Sequence, residues 1–255
     1  MITNYSFIKK LLITFICALM FSATANADFA RAEMGVGTLV QTPSGTISYT
    51  HSDATGLDTS DENQKAQLYA WLLLKHPIPM LPNLRVEYVD ILNEGTASGT
   101  FGSFTYPESS ATRFYMSQID LIPYYNILDN TGWITLDLGV DIKILNISYE
   151  TAGIDLVKKL PTDISSIVIP LAYIRSRIQI PTTGIGVEAD LKYNTYSTAT
   201  VYDARVKVDY TFDIIPIVQL AVELGYRVQK FELEEGGLVI NTDYRGMFMG
   251  MMLRF

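Results

Sequence analysis

Downstream of residue 30, apolar and polar side chains alternate with a period of two almost to the last residue. Successive side chains of an extended strand point to opposite faces, so this pattern predicts strands with one apolar and one polar face. About ten are readable. The first, over about 33–50, sets Met34, Val36, Thr38 and Val40 against Glu33, Gly35, Gly37 and Gln41. The second, about 66–75, is nearly all apolar, and its facing is open. The third opens with Leu84-Arg85-Val86-Glu87-Tyr88. In the fourth, about 112–126, Ile119 and Leu121 oppose Gln118 and Asp120. The fifth sets Ile134, Leu136, Leu138, Val140, Ile142 and Ile144 against Thr135, Asp137, Gly139, Asp141 and Lys143. The sixth, about 166–180, carries Tyr173, Arg175, Arg177 and Gln179 on one face. Polar faces of the next three hold Glu188, Asp190 and Lys192, then Asp203, Arg205, Lys207 and Asp209, then Glu223 and Arg227. The last strand places Met247, Met249, Met251, Leu253 and Phe255 on a wholly apolar face, against Gly246, Phe248, Gly250, Met252 and Arg254.

Between these strands the predicted connections alternate in kind. One set comprises 51–65, 93–110, 151–163, 195–200 and 234–240; the other comprises 76–83, 127–132, 181–184 and 213–216. Members of the first set are longer than the median of the second, 195–200 only marginally. Segment 93–110 reads as a Gly/Ser/Thr-rich loop or a ragged strand extension. Bacterial membrane barrels keep both termini and short turns in the periplasm and send longer loops outward. An even strand count meets the first requirement. The fold expected is therefore all-β: a transmembrane antiparallel up-and-down barrel of about ten strands, with eight as the alternative.

The N-terminus fixes the compartment. Lys9 and Lys10 precede an apolar run from Leu11 to Phe21, followed by Ser22-Ala23-Thr24-Ala25-Asn26-Ala27. A basic patch, a short apolar core and an A-x-A arrangement of small residues predict a secretory leader cleaved after Ala27. Residues 1–27 form this leader and 28–255 the barrel. The single cysteine, Cys17, lies in the leader, so disulfides and thiolate chemistry are excluded from the exported chain. Removing two lysines and no acid moves the net charge from −8 to −10. Such a chain is a poor binder of nucleic acid.

A soluble sandwich or lipocalin-like barrel would show the same alternation with its apolar face inward. Three features favour the inverted arrangement. Predicted strands of about 11–18 residues exceed the ~5–6 usual in globular proteins and meet the ~9–11 needed to cross a membrane. Apolar faces end in aromatics (Tyr193, Tyr210, Phe212, Tyr226 and Phe255), as interfacial girdles require. The charged faces balance both signs, Asp137, Asp141, Glu188, Asp190, Asp203, Asp209 and Glu223 against Lys143, Arg175, Arg177, Lys192, Arg205, Lys207 and Arg227. These are the expected lumen-lining residues. A barrel of this size is narrow, so the expectation is a lumen largely filled by salt bridges, with a narrow path for small solutes as the alternative.

Four segments carry a further likeness: Lys75-His76-Pro77-Ile78-Pro79-Met80-Leu81-Pro82-Asn83-Leu84-Arg85, Trp133-Ile134-Thr135-Leu136-Asp137-Leu138-Gly139, Gly186-Val187-Glu188-Ala189-Asp190 and Leu224-Gly225-Tyr226-Arg227. Through them most of the exported chain resembles a family of uncharacterised bacterial outer-membrane β-barrel proteins. The resemblance implies the fold and an outer-membrane location, but no activity. It also implies that the last strand and its terminal Phe255 are read by the barrel-assembly machinery.

Candidate chemistry is sparse. Outer-membrane hydrolases need a His with a Ser or acid partner near the outer rim. Only His51 and His76 exist, and His76 sits in a proline turn on the periplasmic side. His51 adjoins Ser52 and Asp53, but neighbours in an extended chain point apart. The acidic stretch Asp58-Thr59-Ser60-Asp61-Glu62 lacks the spacing of a calcium loop. No catalytic residue, metal or cofactor is expected. The function expected is that of a non-enzymatic envelope barrel, monomeric and surrounded by lipid and lipopolysaccharide, serving membrane integrity or slow solute passage. Alternatives are a surface-binding module acting through the outer loops and, third, a rim enzyme using His51.

Overall fold

The structure, a computed structural model, describes residues 30–49, 55–56, 66–78, 80–101, 104–128, 133–151, 153–159, 165–196, 199–212 and 218–255. The expected leader and cleavage site lie outside the described residues, as does His51. Among the described residues ten long strands form one sheet: β1 (Arg31–Tyr49), β2 (Gln67–Lys75), β3 (Asn83–Phe101), β4 (Phe104–Leu128), β5 (Ile134–Thr151), β6 (Ser166–Gln179), β7 (Ile185–Tyr196), β8 (Ala199–Phe212), β9 (Gln219–Glu235) and β10 (Leu238–Arg254). Each pairs antiparallel with its neighbour in sequence. The last pairs with the first, from Glu33 opposite Arg254 to Tyr49 opposite Leu238 without a break. Backbone hydrogen bonds in both directions between Ala32 and Phe255, 2.9 and 3.3 Å, extend that seam to the C-terminus. The sheet is thus a closed ten-stranded up-and-down barrel with no free edge, as a β-structure in lipid must be.

All ten strands expected from the alternation are present. Their outer ends differ from expectation. Segments 93–110, 195–200 and 234–240 are largely strand, and only residues 102–103, 197–198 and 236–237 separate the paired strands there. Three outer connections are therefore shorter than those at the periplasmic end, which span 76–82, 129–133, 180–184 and 213–218. The expected contrast in loop length is overturned for these three. The physical reason is pairing: Phe231, Leu233, Leu238 and Ile240 are buried inside the outer end, so β9 and β10 gain by staying extended. Gly236 and Gly237, both with positive φ (55° and 88°), then close them in a tight turn. The outer chain length is stored in strands of up to 25 residues, longer than the ~9–11 that lipid requires.

Polarity divides the wall into two zones. The lumen side of β9 runs Glu223, Gly225, Arg227 and Gln229, then Phe231 and Leu233. Its outer side runs Leu220, Val222, Leu224, Tyr226 and Val228, then Lys230, Glu232 and Glu234. Both faces change character at the same height and in opposite senses. On β5, Lys143 gives way inside to Leu145, Ile147 and Tyr149, while Ile144 gives way outside to Asn146, Ser148 and Glu150. Strand β3 repeats the change, from Arg85 and Glu87 to Val89 and Ile91 inside, and from Tyr88 to Asp90 outside. Below this level the barrel is apolar outside and charged inside, the arrangement of a membrane wall. Above it the barrel is polar outside and apolar inside, the arrangement of a soluble protein. The crossover is the level at which the outer face of a bilayer would lie, and Ala32 and Phe255 sit together at the opposite end of the barrel, the periplasmic end in barrels of this class.

The exterior of the lower zone exposes Val36, Leu68, Val140, Ile174, Val208, Leu224 and Met249. Tyr193, Tyr210, Phe212 and Tyr226 lie on this outward face too, and Tyr210 and Phe212 pack edge to face at 5.0 Å. A bacterial outer-membrane β-barrel is the class these features define, and the outer membrane is its location.

Candidate functional site

The lower lumen is filled by side chains. Among the described residues nine cations and ten carboxylates are buried there, with Arg85, Asp137, Asp141 and Lys143 having no exposure at all. Each charged residue expected in the lumen is buried. The strands bring them together through pairings that place acids opposite bases on one face: Arg175 beside Asp190, Arg177 beside Glu188, and Asp203 beside Lys192.

Three carboxylates act as hubs. Glu188 faces Arg175 at 2.7 Å, Arg85 at 3.3 Å, and Arg177 and Lys207 at 3.5 Å. Glu87 accepts from Arg85 at 2.5 Å, Lys192 at 2.6 Å and Arg205 at 2.9 Å. Asp203 accepts from Arg227 at 2.5 and 2.8 Å and from Lys143 at 3.1 Å. Around them, Arg205 pairs with Asp190 at 2.7 Å, Arg175 with Asp137 at 2.5 Å, and Lys207 with Glu223 at 2.8 Å. Asp120 accepts from Lys143 at 2.8 Å and Lys192 at 2.5 Å. At the periplasmic end Arg177 and Arg254 share Asp209, at 2.6 and 2.8 Å. Burying this many ions is tolerable only because the cations are paired, most with two or more carboxylates and Arg227 through two hydrogen bonds to Asp203. Two carboxylates, Asp141 and Glu33, have no hydrogen-bond partner on either oxygen; Glu33 still meets Arg254 at 3.4 Å, whereas the ion contact of Asp141, with Lys143, is 3.9 Å long.

Several members of the network were not among the residues expected from sequence. Glu33, Arg85, Glu87, Asp120 and Arg254 lie on faces whose alternation was visible, and a count of all inward charges would have found them. Tyr69 and Trp71 were not findable that way, since both faces of β2 are apolar. They point inward. The Tyr69 hydroxyl and the Trp71 indole N–H donate to Glu223 at 2.7 and 2.9 Å, and the indole lies 4.3 Å from the Lys207 ammonium and 5.0 Å from the Arg85 guanidinium. Room for that ring comes from Gly35 on β1, where a Cβ would collide with the indole nitrogen.

Above the charges lies a layer of amides. Gln229 donates to Asp203 at 3.1 Å and to Gln118 at 2.8 Å, and accepts from Gln41 at 3.4 Å. Above the amides the lumen is apolar, built from Leu39, Ile91, Phe114, Leu145, Ile147 and Phe231 among others. Residues 154–159 cap it from the side of β5. Ile154 and Asp155 add a short strand to β5, and a single 3-10 turn, Val157–Lys159, follows. This inserts Leu156 and Val157 into the apolar core. Asp155 organises the turn: it accepts from the Val157 amide at 3.2 Å, the Ser148 hydroxyl at 3.0 Å and the Lys158 ammonium at 3.0 Å. Burial opposes its ionisation, but hydrogen bonds from Lys158 and Ser148 outweigh that and hold the carboxyl below its ordinary value.

His76, in the proline turn, is structural. Its Nδ1 accepts from the Ile78 amide at 3.2 Å, so Nε2 carries the proton and donates to the Pro82 carbonyl at 3.0 Å. Among the described residues no group of three or more His, Cys, Asp or Glu is arranged to hold a metal ion.

Solved structures with a similar strand arrangement include the outer-membrane protease OmpT of Escherichia coli, at 12% identity and TM-score 0.44, covering 91% of this chain and 99% of that one. The translocator domain of the autotransporter NalP from Neisseria meningitidis aligns at 10% identity and TM-score 0.39, covering 99% and 98%. The toluene transporter TodX of P. putida aligns at 7% identity and TM-score 0.30, covering 92% and 90%. At these scores the likeness carries no activity over. No protein-family model and no curated protein matches the chain.

Proposed function

We propose that this protein is a non-enzymatic, non-conducting barrel of the outer membrane, whose work is done by its wall and its outer end. The observation that supports this is the double closure of the lumen. An ion crossing the barrel would have to break a multiply paired charge network and then enter a core of aliphatic and aromatic side chains that offers a few hydroxyls, such as those of Thr242 and Tyr244, and no charge, where an isolated ion is strongly disfavoured. The role is envelope integrity: a stable, sealed cylinder embedded among outer-membrane lipids, acting as a monomer. Planar-bilayer recording tests it. The expected result is no single-channel steps over a wide voltage range. Steady, reproducible steps would replace this reading with slow solute passage.

A second reading is favoured by the long outer hairpin of β3 and β4, which pairs as far as Phe101 and Phe104 and carries the exposed Arg113–Glu94 bridge at 2.9 Å. That surface stands clear of lipid and suits contact with other macromolecules.

For assembly, Phe255 is the proposed signal read by the barrel-assembly machinery. Its backbone also closes the seam against Ala32. Deleting it is expected to lower the amount of heat-modifiable barrel in outer membranes severalfold, with normal export of the precursor.

A further inference from the structure

The proline turn between β2 and β3 is the most distinctive stretch of the sequence, and neither the lumen nor the outer end makes use of it. It is built to hold one shape. His76 clamps it from inside through Ile78 and Pro82. Its flank is tied down too, as the His76 amide donates to the Asn83 side chain at 3.0 Å. From the neighbouring strand, the Tyr125 hydroxyl donates to the Met80 carbonyl at 2.9 Å. Met80 itself has φ of 68°, a left-handed conformation uncommon for any residue but glycine, asparagine or aspartate. Strain of this kind persists where the surroundings over-determine it and something is gained.

What the turn presents is apolar. Met80 is 92% exposed, with Ile78 and Leu81 also open. No Asp, Glu, Lys or Arg occurs from His76 to Leu84. The polar turn Pro181-Thr182-Thr183-Gly184 at the same end shows the contrasting case.

The height of the lipid-facing wall supplies the reason. In a strand tilted by ~40°, each residue adds about 2.5 Å along the barrel axis, and the apolar band of such barrels is ~25 Å tall. On β5 the apolar exterior runs from Ile134 to Ile144, roughly 25 Å by that rule. On β3 it runs only from Leu84 to Tyr88 before Asp90, roughly 10 Å by the same rule. The wall has a notch there, at its periplasmic edge. Beside the notch the apolar exterior continues downward through Tyr125, Ile127 and Leu128 to Trp133, all exposed. The turn stands in the notch.

We infer that the turn is an inner-leaflet anchor: Ile78, Met80 and Leu81 lie in the acyl chains of the inner leaflet of the outer membrane and complete the apolar belt where β3 falls short. The occupant of this surface is lipid. Continuity with the belt on β4 and β5, and the hydrogen bond that joins Tyr125 of that belt to Met80, carry the assignment. It rests on the transmembrane barrel alone and stands whether or not the lumen conducts.

The test uses the absence of cysteine after the leader. Met80→Cys, Tyr210→Cys in the belt and Thr183→Cys in the polar turn are each labelled with an environment-sensitive fluorophore. They are then reconstituted in phosphatidylethanolamine–phosphatidylglycerol vesicles, with folding confirmed by heat-modifiable mobility. Doxyl groups on the lipid chains should quench the Met80 label to within about twofold of the Tyr210 label. Aqueous iodide should quench it severalfold less than the Thr183 label. Iodide quenching equal to that at Thr183 overturns the anchor and makes the turn a free periplasmic surface. Protection from both quenchers overturns it too, because protein and not lipid then covers the turn. Leu81→Cys repeats the measurement at a position without a left-handed backbone, so distortion of the turn by one label cannot decide the outcome.

Discussion

The lower and upper halves of this barrel are built from the same strands in the same register, yet they are packed on opposite principles. In the lower half the lumen is a lattice of ion pairs around Glu87, Glu188 and Asp203. In the upper half it is an aliphatic and aromatic core around Phe114, Leu145 and Phe231. The exterior follows the reverse order. The difference teaches that the medium outside decides the filling inside. Within lipid the outer face carries the apolar residues, and the hydrophobic effect has no water to remove from a narrow lumen except by filling it with polar groups that satisfy one another. Beyond lipid the outer face meets water, and the lumen becomes an ordinary hydrophobic core. The glutamine layer of Gln41, Gln118 and Gln229 joins the two, offering donors and acceptors downward without placing a charge against apolar side chains.

The sharpest test of the comparison is to break each half by its own rule. Removing Asp203 strips partners from Arg227 and Lys143 at once. Asp203→Leu is expected to destabilise the barrel by about 3–5 kcal/mol, because uncompensated buried charge is what costs, not the loss of the pair itself. The double variant Asp203→Leu with Arg227→Met should recover part of that loss. Urea unfolding in detergent micelles reads both, and equal instability of the single and double variants would mean that shape, not charge pairing, holds the lower half.

The upper half should respond to volume instead. Phe231 has no exposure and packs against Tyr244 at 6.1 Å between ring centres. Phe231→Ala is expected to cost about 3 kcal/mol, the low end for an aromatic deleted from a core. The loss should concentrate in the outer end: amide exchange should quicken at Leu233 and Ile240 and stay slow at Arg205 and Lys207. Uniform quickening would show that the halves unfold as one and that the boundary is structural only.

That boundary was written in the sequence and passed unread, for a physical reason. On β9 the apolar positions are even-numbered through Val228 and odd-numbered from Phe231, yet β9 and β10 pair without any register shift from Gln219 to Glu235. Alternation persists through the change, so a reading that looks only for period two sees one continuous strand and assigns one lipid-facing side. The ten strands and the inward direction of the charged faces were legible because each strand meets two different media. The facing of β2 is the exception, because the lipid side and the Tyr69 and Trp71 side are both apolar. The partners that give those two rings their role lie more than 150 residues away on Glu223. Locally, small polar residues and Gly read as turn formers at 195–200 and 234–240 and leave 93–110 open between loop and strand extension, whereas a partner strand and a buried interior face hold these segments extended. The pairing of charges within the lumen is likewise set by barrel closure and was not legible at all.

The smallest effect expected sits at the top of the upper half, where the cap depends on one carboxylate. Asp155 is ionised below its ordinary range by Lys158 and Ser148 and holds the turn that seats Leu156 and Val157. Its folded-state pKa is depressed relative to the unfolded chain. The stabilisation is therefore fully present above the unfolded value of ~3.9 and is lost as pH falls through the lower folded value. Between pH 7 and 5 the cap should be unchanged. Below about pH 4 the Leu156 amide, which donates to the Tyr149 carbonyl at 2.7 Å, should lose protection ahead of the strands beneath it, after correction for the intrinsic pH dependence of exchange. Asp155→Asn should abolish that selective acid response and loosen the cap at neutral pH, because the amide keeps an acceptor for Val157 but gives up the charge that draws Lys158. An acid response that survives in Asp155→Asn would place the sensitive group elsewhere, and the cap would then owe its closure to the apolar seating of Leu156 and Val157, the rule that governs the rest of the upper half.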